Sequence, residues 1–97
     1  MPVTVQHVRS LAESFVQSTE KLTAKEREQR PSGAYGNNFN NVLHLAKEAA
    51  PQIDDRLWPK PVEVYEVAFH DGSCTRSRYS ELETYARQIL SLLPQTT

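Results

Sequence analysis

The sequence predicts a small α+β protein, a single domain over residues 1–97 with the element order α-α-β-β-α, in which one antiparallel β-hairpin packs against three helices. Three observations predict this class. Apolar residues recur every three to four positions in three separate stretches, which is typical of amphipathic helices. A fourth stretch is rich in Val, Tyr and Phe and leads into an Asp-Gly dipeptide, a strong hairpin signal. The chain is long enough for one core and no more.

The first helix is predicted over about residues 4–22. Thr4 suits the N-cap because its hydroxyl can accept a hydrogen bond from an amide of the first turn. Beyond the apolar stripe, residues 23–30 are either a solvated extension of this helix or a separate short turn, which Thr23 and Glu26 would open as a capping box. The stripe consists of Val5, Val8, Leu11, Ala12, Phe15, Val16, Thr19 and Leu22.

A second helix is predicted over about residues 38–50, after a loop over residues 30–38 that holds two glycines. Asn37 or Asn38 is expected to cap this helix. Pro51 would lose a hydrogen bond and clash with the preceding turn inside a helix, so the helix should end before it. Its stripe consists of Phe39, Val42, Leu45, Ala46, Ala49 and Ile53.

The hairpin is predicted from strands at about residues 62–69 and 73–79, joined through Asp71-Gly72. In the preferred register, a three-residue loop pairs Phe69 with Ser73, Val67 with Thr75, Tyr65 with Ser77 and Glu66 with Arg76. A two-residue loop is less favoured because it would set cations opposite the apolar side chains of the first strand. The last helix follows closely and is expected to pack on the apolar face formed by Tyr65, Val67 and Phe69.

The last helix is predicted over about residues 81–93, with Ser80 and Glu83 as a capping box and Pro94 after its end. Its apolar side is wide and consists of Leu82, Tyr85, Ala86, Ile89, Leu90, Leu92 and Leu93. This width and the two open edges of a two-stranded sheet suggest a homodimer, although a deeply buried helix would explain the width equally well.

Composition restricts the functional classes. The chain carries 11 basic and 12 acidic residues, and this balance gives no general attraction to nucleic acid or to an anionic membrane. Cys74 is the only cysteine, which rules out an internal disulfide and a four-cysteine zinc site. A single thiol fits a reducing compartment, and no apolar run approaches the length of a membrane span. We therefore expect a cytoplasmic protein that does not enter the membrane.

Residues that could carry chemistry are sparse. His70 and Cys74 flank the predicted turn, but a metal site usually needs three or four ligands. Asp54 and Asp55 are adjacent, so they cannot share one helix face as an acid–base pair would. Residues 32–36 lack the lysine of a phosphate-binding loop. We therefore expect no catalytic residue, no metal and no cofactor, and hence no enzyme; a site that forms only in three dimensions stays an alternative.

The candidate interaction surface consists of Tyr35, Asn38, Trp58, Arg76 and Arg78. Trp and Tyr commonly anchor protein interfaces, and they are hard to assign to packing here. A structural role is nevertheless the favoured interpretation of Trp58 and the asparagines, with Trp58 closing the core and the asparagines capping a helix.

The main functional prediction is a non-catalytic protein-interaction or regulatory module that binds an unknown protein partner or a second copy of itself. Nucleic-acid binding through the hairpin, residues 62–79, is the alternative, because Arg76 and Arg78 lie near aromatic residues. Neighbouring glutamates dilute the positive charge that this alternative needs.

Overall fold

The computed structural model describes residues 4–66 and 72–94, which hold four α-helices and a two-stranded antiparallel sheet. In chain order the elements are α1 (Val5–Glu20), α2 (Ala24–Arg27), α3 (Gly33–Ala49), β1 (Val64–Glu66), β2 (Ser73–Thr75) and α4 (Tyr79–Leu92). A 3-10 turn over Asp55–Leu57 lies between α3 and β1. This arrangement confirms the predicted α+β class, with one short helix added.

The first part of the chain forms two separate helices. Thr4 caps α1 as predicted, since its Oγ1 accepts a hydrogen bond from the backbone N of His7 at 3.1 Å. Thr23 and Glu26 form the capping box of α2, with one hydrogen bond of 3.2 Å and one of 3.1 Å. Of the two possibilities for residues 23–30, the structure therefore shows the separate turn.

Helix α3 begins earlier than predicted, at Gly33, and its N-cap is Ser32 rather than Asn37 or Asn38. The reason is close packing against the sheet. A side chain at Gly33 would collide with Ser73, and one at Gly36 would collide with Thr75. The two glycines therefore belong to a helix that approaches a strand closely, and not to a flexible loop.

The predicted hairpin register is wrong. Val64 lies opposite Thr75, Tyr65 opposite Cys74 and Glu66 opposite Ser73, while Arg76 faces Glu63 instead of Glu66. Pairings predicted for Val67 and Phe69 lie outside the described residues. The strands are also shorter than expected: residues 62 and 63 precede β1, and residues 76–79 follow β2.

Contacts with α3 explain the observed register. Gly33 and Gly36 form a face of α3 that has no side chains and is called the glycine face. Val64 and Thr75 pack against this face, so their side chains point to the same side of the sheet. On the other edge of β2, the backbone N of Thr75 donates to the carbonyl of Pro31 at 3.0 Å, and Cys74 bridges Ser32. The sheet thus packs on α3, and Tyr65 points to the opposite face, which contradicts its expected contact with the last helix.

Helix α4 packs along α1, and its predicted capping box is also wrong. The helix begins at Tyr79, and the carboxylate of Glu81 accepts a hydrogen bond from the backbone N of Arg78 at 3.0 Å. Glu83 is therefore not part of a cap. Its nearly buried carboxylate forms an ion pair with Arg27 of α2 and accepts a hydrogen bond of 2.8 Å from the hydroxyl of Thr19.

The core lies between α1, α3, α4 and the segment that leads into β1. It consists of Val8, Ala12, Val16, Phe39, Val42, Leu43, Ala46, Ala50, Trp58, Val62, Leu82, Ala86, Ile89 and Leu93. Leu90 and Leu92 pack against it, so the wide apolar side of α4 is satisfied within the chain. Within the described ranges, no helix combines the length and the apolarity that a membrane crossing requires.

Candidate functional site

The five residues of the predicted interaction surface do not form one patch. Tyr35 is half-buried between Phe15 and Tyr79, with ring centroids 5.0 Å and 5.2 Å away. Asn38 is exposed on α3. Trp58 and Arg76 line the same groove. The other three candidates do not line it.

That groove has a volume of about 440 Å³ and is called the Trp58 slot below. One wall is the segment that leads into β1, and the other is the segment that leaves β2. Trp58 and Val62 are buried at its floor, where the half-buried ring of Tyr85 also contributes. Its lining residues are Trp58, Pro59, Lys60, Pro61, Val62, Glu63, Arg76, Ser77 and Tyr85.

The slot opens because the two strands stop bonding to each other. The last hydrogen bond between them runs from the backbone N of Arg76 to the carbonyl of Glu63, at 2.9 Å. One position further, the carbonyl of Ser77 accepts from the hydroxyl of Thr75 at 2.6 Å, while the backbone of Val62 bonds to a side chain of α3. In the same register Val62 and Ser77 would face each other as a non-bonded pair, whose backbone groups point away from the opposite strand, so these bonds fix each segment on its outer side. Within the described residues, no backbone hydrogen bond joins the two segments beyond Glu63 and Arg76.

Asn40 is the α3 residue that holds Val62. Its Oδ1 accepts from the backbone N of Val62 at 2.8 Å, and its Nδ2 donates to the carbonyl of Val62 at 3.0 Å. The side-chain amide therefore replaces a neighbouring strand at this one residue. Residue type alone does not distinguish Asn40 from the adjacent asparagines. The only signal was its position one helical turn after Gly36, on the face that meets the sheet.

A second groove, of about 330 Å³, lies on the other side of the same wall. The wall consists of residues 58–61, where Pro59 and Pro61 restrict the backbone to extended conformations. Lys60 and Trp58 line both grooves. The second groove also contains Lys47, Asp55 and Arg56.

Most charged groups around the two grooves are paired. Arg76 lies 2.7 Å from the carboxylate of Glu63 and stacks over the ring of Tyr65 at 5.5 Å. Further ion pairs join Lys47 to Asp55 at 3.1 Å and Arg56 to Asp54 at 2.9 Å. The hydrogen bonds from Arg56 lower the pKa of Asp54. Among residues 4–66 and 72–94, Lys60 forms no ion pair.

Chemically reactive residues do not gather elsewhere in the described structure. Cys74 is half-buried on β2, and the ring of His44 lies 3.0 Å from Glu48 on the exposed side of α3. Within residues 4–66 and 72–94, no three His, Cys, Asp or Glu side chains are placed to share a metal ion. His70 and Asp71 lie outside the described residues.

Comparison with known proteins gives no family for this chain: no family model matches it, and neither the curated proteins nor the solved structures contain a match. The geometry of the Trp58 slot is therefore the main indication of function.

Proposed function

We propose that this chain is a non-catalytic protein-interaction module that receives a short segment of a partner protein in the Trp58 slot. The observation that carries the proposal is the apolar floor formed by Trp58, Val62 and Tyr85 between two backbone segments. Aromatic side chains in a recess are typical anchors of protein interfaces. A volume of about 440 Å³ falls within the roughly 300–1,000 Å³ common for binding pockets and suits a few side chains.

The walls of the slot support the same proposal because prolines and hydrogen bonds within the chain hold them in place. Pro59 and Pro61 stiffen one wall, and the Asn40 amide fixes the backbone of Val62 beside them. Thr75 fixes the start of the other wall through its hydrogen bond to Ser77. A site that is rigid before binding loses less conformational entropy when a partner arrives.

The charge pairing disfavours nucleic-acid binding through the hairpin. Arg76 is paired with Glu63, and Arg78 with Glu28 at 3.1 Å, so both arginines would have to leave an acidic partner to reach a phosphate. The net charge of the whole chain is −1. A nucleic-acid partner predicts binding that weakens steeply with salt, whereas an apolar anchor predicts a weaker salt dependence.

Self-association has less support than a different protein partner. The apolar side of α4 is packed within the chain, and the second edge of β2 is bonded to residues 31 and 32. Among the described residues, Leu57 is the only large apolar side chain that is exposed, at 53 %. A second copy would therefore find no broad apolar patch on this part of the chain.

Photo-crosslinking in the native host tests the proposal. Glu63 lines the slot with an exposed side chain, and it is replaced by p-benzoylphenylalanine; the control places the same residue at Gln17, an exposed position on α1. We expect a discrete protein product from position 63 and none from position 17. Adding Ser77→Trp, which fills the slot, should remove that product while the circular dichroism spectrum stays unchanged.

Three results would contradict the proposal. Identical products from positions 63 and 17, or a product that persists with Ser77→Trp, would show that the slot is not the binding site. A product of twice the mass of the chain would assign the slot to a second copy instead of a different protein.

A further inference from the structure

We infer that the segment bound in the Trp58 slot is an extended, acidic peptide, in which a carboxylate pairs with Lys60 and a nearby apolar side chain lies on the floor. This inference rests on the proposed function and adds the chemistry of the partner.

Among the charged side chains that line the two grooves, the one without an ion-pair partner in the described residues is a cation. Four cationic side chains and two acidic ones line the two grooves. Three of the cations have acidic partners within the chain: Arg76, Lys47 and Arg56. Lys60 is the lining cation that forms no ion pair within residues 4–66 and 72–94. A carboxylate can therefore approach it without displacing an existing partner.

Lys60 is also well placed to meet a bound segment. It stands exposed between Pro59 and Pro61, which fix the course of the backbone on either side of it. It lines both grooves, whose shared wall ends at Pro61. An acidic residue in either groove would therefore lie within reach of the same ammonium group.

One exposed lysine cannot provide the binding alone, since exposed ion pairs change affinity only a few-fold. The apolar floor must supply the remaining contact, so charge and apolar surface have to come from the same ligand. An extended chain places neighbouring side chains about 3.3 Å apart along its axis and points them to alternate sides. A carboxylate one or two residues from an apolar side chain satisfies both contacts.

A phage-displayed library of random twelve-residue peptides, selected on the immobilised full chain, tests the inference. Selected peptides should be enriched in Asp or Glu within two residues of an apolar residue. Their dissociation constants, measured by calorimetry, should rise about fivefold or more for Lys60→Glu. The matched control is Lys25→Glu, the same charge reversal at an exposed position on α2, which should leave the constants unchanged.

Selected peptides without acidic enrichment, or equal affinity for the Lys60→Glu variant, would overturn the inference, and so would a library that yields no binder. These results remain distinct from a failure of the proposed function. A specific cross-link from position 63 combined with neutral or basic selected peptides would keep the slot as a binding site and reject only the acidic partner.

Discussion

The side-chain amide of Asn40 hydrogen-bonds to both backbone groups of Val62, at 2.8 Å and 3.0 Å. The side chain of this α3 residue thereby makes the two hydrogen bonds with Val62 that the backbone of a neighbouring strand would otherwise make. Without it, the backbone of Val62 would need water or another partner, because buried polar groups are costly when unsatisfied. The same two hydrogen bonds fix the backbone of Val62, which lines the Trp58 slot.

Replacing Asn40 by Ala should destabilise the fold by about 1–3 kcal/mol, since it leaves the amide and carbonyl of Val62 without their partner. Urea unfolding followed by the fluorescence of Trp58, the single tryptophan, measures this change. Asn41→Ala, at an exposed position of the same helix, is the control and should change stability by no more than about 0.5 kcal/mol. Equal effects of the two substitutions would contradict the role assigned to Asn40.

The glycine face of α3 gives a second prediction. Gly36→Ala should lower stability by about 1–3 kcal/mol, although Ala favours helices, because the added methyl group meets the side chain of Thr75. In the background of Thr75→Ser, which removes the opposing methyl group but keeps the hydroxyl, the same substitution should cost clearly less. Additive effects in this double-mutant cycle would show that the helix and the strand are not in contact there.

The carboxylate of Glu83 joins α4 to α1 and α2, so removing its charge should lower the stability of the fold more than removing a surface carboxylate would. Glu83→Gln should cost about 1–3 kcal/mol, because Arg27 and Thr19 lose a charged acceptor that is only 14 % exposed. Glu20→Gln removes an exposed partner of Arg87 and should cost no more than about 1 kcal/mol. Thermal unfolding of both variants compares them, and a smaller loss for Glu83→Gln would be inconsistent with this arrangement.

The raised pKa of the Tyr35 phenol predicts that the protein loses stability at alkaline pH. Burial raises the pKa of its phenol above the ordinary value of 10.0, only partly opposed by the hydrogen bond with Ser18, while Tyr79 and Glu83 raise it further. A raised pKa in the folded state means that the neutral phenol stabilises the fold. This contribution is complete below pH 10 and is lost as the pH rises through the folded-state pKa.

Urea unfolding between pH 8 and pH 11.5 should therefore show a smaller alkaline loss in Tyr35→Phe than in the original chain. Absorbance at 295 nm should show that this variant lacks a tyrosine titrating above pH 10. If the tyrosine missing from the titration of the variant is instead one that titrates at or below pH 10, burial does not raise the pKa of Tyr35.

Local patterns predicted the elements better than their pairing. The apolar stripes of α1 and α4 and the Thr4 cap were visible because helix periodicity and capping depend on residues three to four positions apart. The hairpin register was predicted wrongly from the Asp71-Gly72 turn. What sets it is a contact between Gly36 and Thr75, which lie far apart in the sequence.

The candidate site was only partly visible for the same reason. Trp58 and Arg76 were chosen from residue type and do line one slot, but Tyr35 and Arg78 are explained by partners on other helices. Asn40 was one of several similar asparagines, and only its contact with Val62 distinguishes it. Such contacts depend on how helices and strands meet and leave no short-range pattern.

The interstrand proton contacts of the hairpin test the origin of the slot most directly. Because Glu63 and Arg76 share the last ladder hydrogen bond, the non-bonded pairs should be Val64 with Thr75 and Glu66 with Ser73. Nuclear Overhauser spectra should show strong contacts between the α-protons within these two pairs, and none between Val62 and Ser77. Strong α-proton contacts that instead place Glu66 opposite Arg76, or close the ladder at Val62, would contradict the slot and the function proposed for it.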